Sequence, residues 1–262
     1  MQIDEEGDRR ASNYWPVSAT SSSTTRSSDQ TTQTLAAAAR VRARLVVVLA
    51  VTSGATDAIG FLALGSAFTS VMTGNMVLLG VGAAAADTLL VVSCVVAISS
   101  FVAGAAVGAR VAGTPAADDS LWPQAVTVAL YIELLLFAVF ACCWWVLDST
   151  PSTDWLFPLL GLNAAALGMQ SSAIQRFGVS GLSTTYLTGT LTTVVGKLIA
   201  GHGLRKVAHS LAILLGLIIG ACVGTVLVEW APVAVPAIQL LTLGGVLATV
   251  HLSRSLHIPA TS

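Results

Sequence analysis

The sequence predicts an all-α polytopic membrane protein: about six transmembrane helices plus two re-entrant or broken half-helix elements, arranged as two inverted repeats. Three observations carry that expectation. Of 262 residues, 55% are hydrophobic and only 10% charged, against about 25% charged in soluble domains. Residues 45–56, 58–86 and 88–109 carry no formal charge, and apolar runs near 20 residues read as spanning helices. The third observation is internal similarity. Shifting Phe68–Met76 along the chain by 115 positions lays Thr73-Gly74 on Thr188-Gly189 and Asn75 on Thr190. Ala58-Ile59 falls on Ala173-Ile174, and Gly104 and Gly108 fall on Gly220 and Gly224 one residue further along. Ordered landmarks of this kind mark a duplication; the competing explanation is two small-residue segments alike by composition alone.

Residues 1–39 are expected to form a disordered Ser/Thr-rich cytoplasmic tail, because their polar composition cannot bury enough apolar surface to offset ordering entropy. Arg40, Arg42 and Arg44 precede the first apolar run, Leu45 to about Ser66, and hold the N-terminus in the cytoplasm by the positive-inside rule. The run Ala67–Ala86 differs in kind: polar and small through Asn75, then apolar for about three helical turns, the length of a half-helix. Thr88–Val111, Trp122–Leu147 and Trp155–Ile174 are each long enough to span, with Trp122, Trp144, Trp145 and Trp155 near their ends as in interfacial belts. A second polar-then-apolar element covers Ser180–Ala200, and Val207–Val228 and Val233–Leu252 complete the set. The repeats are thus 40–147 and 155–254, with a short tail at 255–262.

Charge decides between two topologies. If both Thr-Gly elements dip and return, there are six spans, and every Lys and Arg of the membrane region faces the cytoplasm while Asp87, Asp148, Asp154 and Glu229 stay outside. If both cross, there are eight, and Arg110 and Arg176 move outside, which the rule favours less. With three spans per repeat, the second copy is inserted upside down, and the two Thr-Gly corners meet near the midplane. Both termini then lie in the cytoplasm.

Candidate site residues follow from that geometry. Gly74 and Gly189 permit a turn, while Thr73, Asn75, Thr188 and Thr190 supply donors and acceptors where the backbone breaks. Broken backbone is tolerated at that depth only when buried in protein or lining a polar cavity; otherwise Thr-Gly is a packing contact. Asp57 and Glu133 lie deep in apolar runs, where ionised acids are costly and mark coupling or substrate sites, unless they are structural. Ser172 and Ala248 occupy the equivalent positions 115 residues on, so any coupling is asymmetric. Asn163 and Gln170, seven apart, share a helix face and present amides to the same cavity or to a neighbouring helix.

The net charge of -1 excludes a nucleic-acid partner, which needs a dense basic surface. Cys94, Cys142, Cys143 and Cys222 have no zinc spacing, and His202 and His209 no third ligand, so neither metal nor cofactor is expected. No paired nucleophile and base is visible, so the chain does not read as an enzyme.

Asp57-Ala58-Ile59, Met72–Met76, Gly168–Gln170 and Gly181–Leu191 together resemble the YoaK-like membrane family, domain of unknown function 1275, over residues 40–255. The resemblance implies a polytopic membrane protein and brings no catalytic or binding residues with it. The leading functional expectation is a small-solute or ion transporter or channel with a midplane site between the Thr-Gly elements. The alternative is a non-transporting scaffold or assembly partner, with homo-oligomers formed through the glycine-rich helices.

Overall fold

The sequence places polar groups at fixed depths in apolar helices, and the fold is the arrangement that pairs them. The computed structural model describes residues 21–113, 122–176, 187–201, 203–204 and 207–255. Eight α-helices and no strands occur among the described residues: α1 Ser21–Ala63, α2 Met72–Ala85, α3 Thr88–Ala112, α4 Gln124–Val146, α5 Thr153–Gln175, α6 Leu187–Ile199, α7 Ala208–Trp230 and α8 Val235–Ser255. A short 3-10 turn, Pro232–Ala234, joins α7 to α8. From Arg40 onward the chain is one compact unit.

Helix α1 begins at Ser21, inside the segment whose composition predicts disorder. The physical reason is continuity: between Pro16 and Gly54 the chain has no proline or glycine, so nothing interrupts the helix propagating upstream from the apolar run.

Buried side chains fall into two clusters that give each helix its direction. The first holds Leu45 and Leu49 of α1, Ala112 of α3, Val126–Phe137 of α4, Ala166–Ile174 of α5 and Leu243–Val250 of α8. The second holds Ile59 of α1 and Leu64 just beyond its end, Cys94 and Ala97 of α3, Phe140 and Trp144 of α4, Leu159, Leu160 and Ala164 of α5 and Val235 of α8. So α1 and α4 run from the first cluster to the second, and α3, α5 and α8 run back. Helix α7 runs with α1: Gly216, Gly220 and Gly224 face Val47, Val51 and Ala55 in that order. The indole N–H groups of Trp144 and Trp145, at the end of α4, donate to the carbonyls of Pro232 and Val233 at 2.8 Å, fixing the end of α4 beside the α7–α8 turn.

Two elements return to the end they left. Helix α2 joins the end of α1 to the start of α3, both in the second cluster, packs on α3, and turns into it through Ala86, in left-handed conformation, and Asp87, whose carboxylate accepts from Leu90 N. Helix α6 joins the end of α5 to the start of α7 at the first cluster and packs on α7. Six helices therefore run the length of the bundle and two are half-elements. An eight-crossing arrangement would put the end of α4 at the opposite face from Pro232.

Five helices, within Ala39–Ala63, Thr88–Ala112, Gln124–Val146, Ala208–Trp230 and Pro232–Ser253, are long and apolar enough to cross a membrane. Helix α5 is as long but more polar. It packs between α3 and α4 and buries Asn163, Gln170 and Ser171, so protein rather than lipid surrounds its polar face.

Glycines set the closest contacts. A Cβ on Gly54 would overlap the Leu217 carbonyl, and one on Gly220 the Val51 carbonyl, so α1 and α7 touch backbone to backbone. Helices α3 and α5 repeat this contact for contact. Gly168 meets Phe101, Gly104 meets Ala165 and Gly108 meets Met169, as Gly54 meets Leu217, Gly220 meets Val51 and Gly224 meets Ala55. The register between α1 and α5 is thus 114 positions, which sets Ser171, rather than Ser172, opposite Asp57. Gly104→Ala and Gly220→Ala should each lower the melting temperature of the purified protein by several degrees, because a methyl group drives the paired backbones apart. Gly80→Ala and Gly244→Ala, with nothing within 4 Å of the added carbon, should leave it unchanged or raise it, since Ala is the better helix former by up to about 1 kcal/mol.

Candidate functional site

The polar residues in the middle of α1, Thr52, Ser53, Thr56 and Asp57, are all buried and each finds a different partner. Asp57 faces the segment ahead of α2. Its Oδ1 accepts from Thr69 N at 2.8 Å, Thr69 Oγ1 at 3.0 Å and Ser70 N at 2.7 Å, and its Oδ2 accepts from Ser70 Oγ. Four donors match the roughly four acceptor sites of a carboxylate. Among the described residues no basic side chain pairs with it, so hydrogen bonds alone hold the carboxyl group in place.

Asn75 completes the corner. Its Oδ1 accepts from Phe68 N at 2.8 Å and its Nδ2 donates to Phe68 O at 2.7 Å, so one amide closes both backbone groups of a residue that no helix satisfies. The break in the backbone lies at 64–71, with positive φ at Gly65 (102°) and Ser66 (61°), and not at the Thr-Gly pair, where the sequence places it. Thr73 and Gly74 sit in the first turn of α2, Thr73 exposed; Gly74 leaves room for Phe68 and Val71 to fold back 3.3 Å from where its Cβ would be. In the second element Gly189 is exposed and Thr190 nearly buried in α6. The side chain of Thr188 and residues 177–186 lie outside the described residues.

Asn163 and Gln170 do share one face of α5, where Asn163 meets α8 and Gln170 meets α1. Gln239 Nε2 donates to Asn163 Oδ1 at 2.6 Å and to Thr56 Oγ1 at 3.1 Å, while Gln170 Nε2 donates to Ser53 Oγ at 2.9 Å. Thr52 Oγ1 donates to Thr242 Oγ1 at 2.7 Å. Gln239 and Thr242 escape a sequence reading because each is a lone polar residue in an apolar helix. The clustered polar positions 52, 53, 56 and 57, one helical stripe, were the signal available. Glu133 stands apart: fully buried on α4 between Leu130 and Phe137, with neither carboxyl oxygen hydrogen-bonded.

Beside the corner lies an open groove of about 460 Å³, between α1 (Asp57, Phe61), the segment 68–71 (Phe68) and α7 (Leu217, Cys222, Thr225). It is apolar except for Asp57 and Thr225, and the Thr225 hydroxyl donates to Ala221 O at 2.9 Å. Asn75, Asn163, Gln170 and Thr190 do not line it. No cluster of metal-binding side chains occurs among the described residues.

Residues 45–251 match the family described as a protein of unknown function, DUF1275. The chain belongs to this family. It is also 34% identical over 203 residues to the UPF0700 transmembrane protein YoaK of Bacillus subtilis (strain 168), covering 74% of this chain and 85% of that protein. No solved structure matches. With that relative and its own apolar helices, this DUF1275 member is an integral membrane protein.

Removing the anchor should be costly in proportion to the donors stranded, about 1–3 kcal/mol for each buried group left unpaired. Asp57→Ala should therefore unfold at a markedly lower temperature than wild type, with Asp57→Asn, which keeps one acceptor oxygen, in between. Asn75→Ala should fall by a comparable but smaller amount, read by thermal unfolding in detergent. Identical melting of all four proteins would mean that the corner is held by something else.

Proposed function

We propose that this DUF1275 protein is a small-solute or ion transporter built as an inverted repeat, and not an enzyme, with its site in the groove beside the α2 corner. The observation that carries this reading is the contact register: α1 on α7 recurs as α3 on α5, while α1 and α5 run in opposite directions. A half-helix, α2 or α6, follows the first span of each unit. Paired inverted units with broken elements are the architecture through which one bundle rocks against another around a central site. The groove lies where α1 of one unit meets α7 of the other.

Arg40, Arg42 and Arg44 at the start of the apolar part of α1, Arg110 at the end of α3 and Arg176 after α5 gather at one end of the bundle. Asp87, Asp148, Asp154 and Glu229 gather at the other. The basic end is the cytoplasmic one by the positive-inside rule, which places both termini inside. Glu133, buried without a partner, is the residue that would carry a coupling proton. A scaffold assembling through its glycine ladders is less well supported, because Gly104, Gly108, Gly216, Gly220 and Gly224 already face α5 and α1 within the chain.

Proteoliposomes on a solid-supported membrane can be challenged in turn with alkali cations, small carboxylates, neutral sugars and quaternary amines. At least one class should evoke a transient current in wild type. Ile218→Trp, which fills the groove, should remove it, and Glu133→Gln should remove its dependence on a pH gradient. Silence across every class with well-folded protein would end the transport reading.

A further inference from the structure

The groove beside Asp57 has a chemistry of its own. Its volume, about 460 Å³, falls in the range of small-molecule sites. Its walls are side chains such as Phe61, Leu62, Leu217 and Ile218, and its one acidic group is the Asp57 carboxyl, beside which no described cation lies. Phe61 and Phe68, both in the lining, are stacked with ring centroids 5.0 Å apart and planes at 18°.

We propose that this groove binds lipophilic organic cations without N–H donors, of the quaternary ammonium class, with the apolar body between α1 and α7 and the charge beside Asp57. The inference rests on the reading of the groove as the transport site and names the class of molecule it takes. Three observations select the class. An anion meets the Asp57 charge and no spare donor: Thr69 and Ser70 are committed to Asp57, and the Thr225 hydroxyl to Ala221 O. A primary amine or an alkali ion would need several directional acceptors to replace its water, but Asp57 Oδ1 already accepts three hydrogen bonds and Oδ2 one, and the rest of the lining is almost wholly apolar. A quaternary cation carries no N–H to satisfy and is attracted by net charge alone. Its apolar body also suits walls that include the Phe61 and Phe68 side chains.

Cys222 lines the groove and is exposed, so it reports occupancy directly. Cys142, also exposed, lines a separate apolar pocket of about 160 Å³ with no charged group and serves as the internal control. Purified full-length protein in detergent is alkylated with N-ethylmaleimide, and each cysteine is followed by peptide mass spectrometry. The probe is benzyltrimethylammonium, compared with its uncharged isostere neopentylbenzene and with benzoate. The cation should slow alkylation of Cys222 at least threefold and leave Cys142 unchanged, while neither isostere nor benzoate protects. Asp57→Asn should abolish the preference for the cation, and Ile218→Trp, which keeps the carboxylate, should abolish protection altogether. Equal protection by neopentylbenzene would make the groove a seat for lipid chains or any apolar body and overturn the proposal, as would no protection by the cation in folded wild-type protein. Protection by the cation with no current from any solute class would leave the binding site standing and remove the transport reading. Current with another solute and no protection would do the reverse.

Discussion

Hydrocarbon cannot satisfy a hydrogen bond, and the middle of α1 carries four polar side chains within six residues. Helices α5 and α8 and the segment ahead of α2 are placed by answering them. Thr52 meets Thr242 and Thr56 meets Gln239, which draws in α8; Ser53 meets Gln170, which draws in α5; Asp57 takes the two residues ahead of α2. Each neutral bond between membrane helices contributes only about 0.6 kcal/mol on average, with 1–2 at the upper end. Their larger effect is on specificity, because a shifted register would leave several buried groups without partners.

Around this hub the glycines do the complementary work. Lipid offers no hydrophobic gain for helix association, so the attraction is dispersion between closely packed backbones. The contacts Gly54–Leu217 and Gly220–Val51 on one side, and Gly168–Phe101 and Gly104–Ala165 on the other, bring α1 to α7 and α5 to α3. The same small residues that allow the approach in one half allow it in the other. The polar groups differ: by the register of the glycine contacts the position of Asp57 on α1 corresponds to Ser171 on α5.

The frame was legible in the sequence because depth in a membrane is written in composition. All eight elements cover the apolar runs that predict them, most ends within a few residues, with α2 and α6 starting later than the runs that hold them and α1 starting at Ser21, well before Leu45. Asp57, Asn75, Asn163 and Gln170 stand out as polar residues in apolar surroundings, and all four are buried and bonded. Their partners were not legible. Gln239 is 183 positions from Thr56, and no local pattern pairs a single amide with a hydroxyl so far away. The corner was misplaced for a different reason. Thr-Gly has the composition of a turn, but the helix runs through it because Asp57 and Asn75 hold the bend at 64–71, a tertiary effect that overrides local propensity.

Everything above depends on α2 and α6 returning to the face they leave, so that α1 and α5 run in opposite directions. Membrane-impermeant labelling of single cysteines, introduced at Asp87, Asp148, Glu229 and Gly203 in a background without Cys94, Cys142, Cys143 and Cys222, tests this directly in intact cells or oriented vesicles. The first three positions should label from one face and Gly203 from the other. Labelling of Asp87 from the same face as Gly203 would make α2 a full crossing and contradict the account.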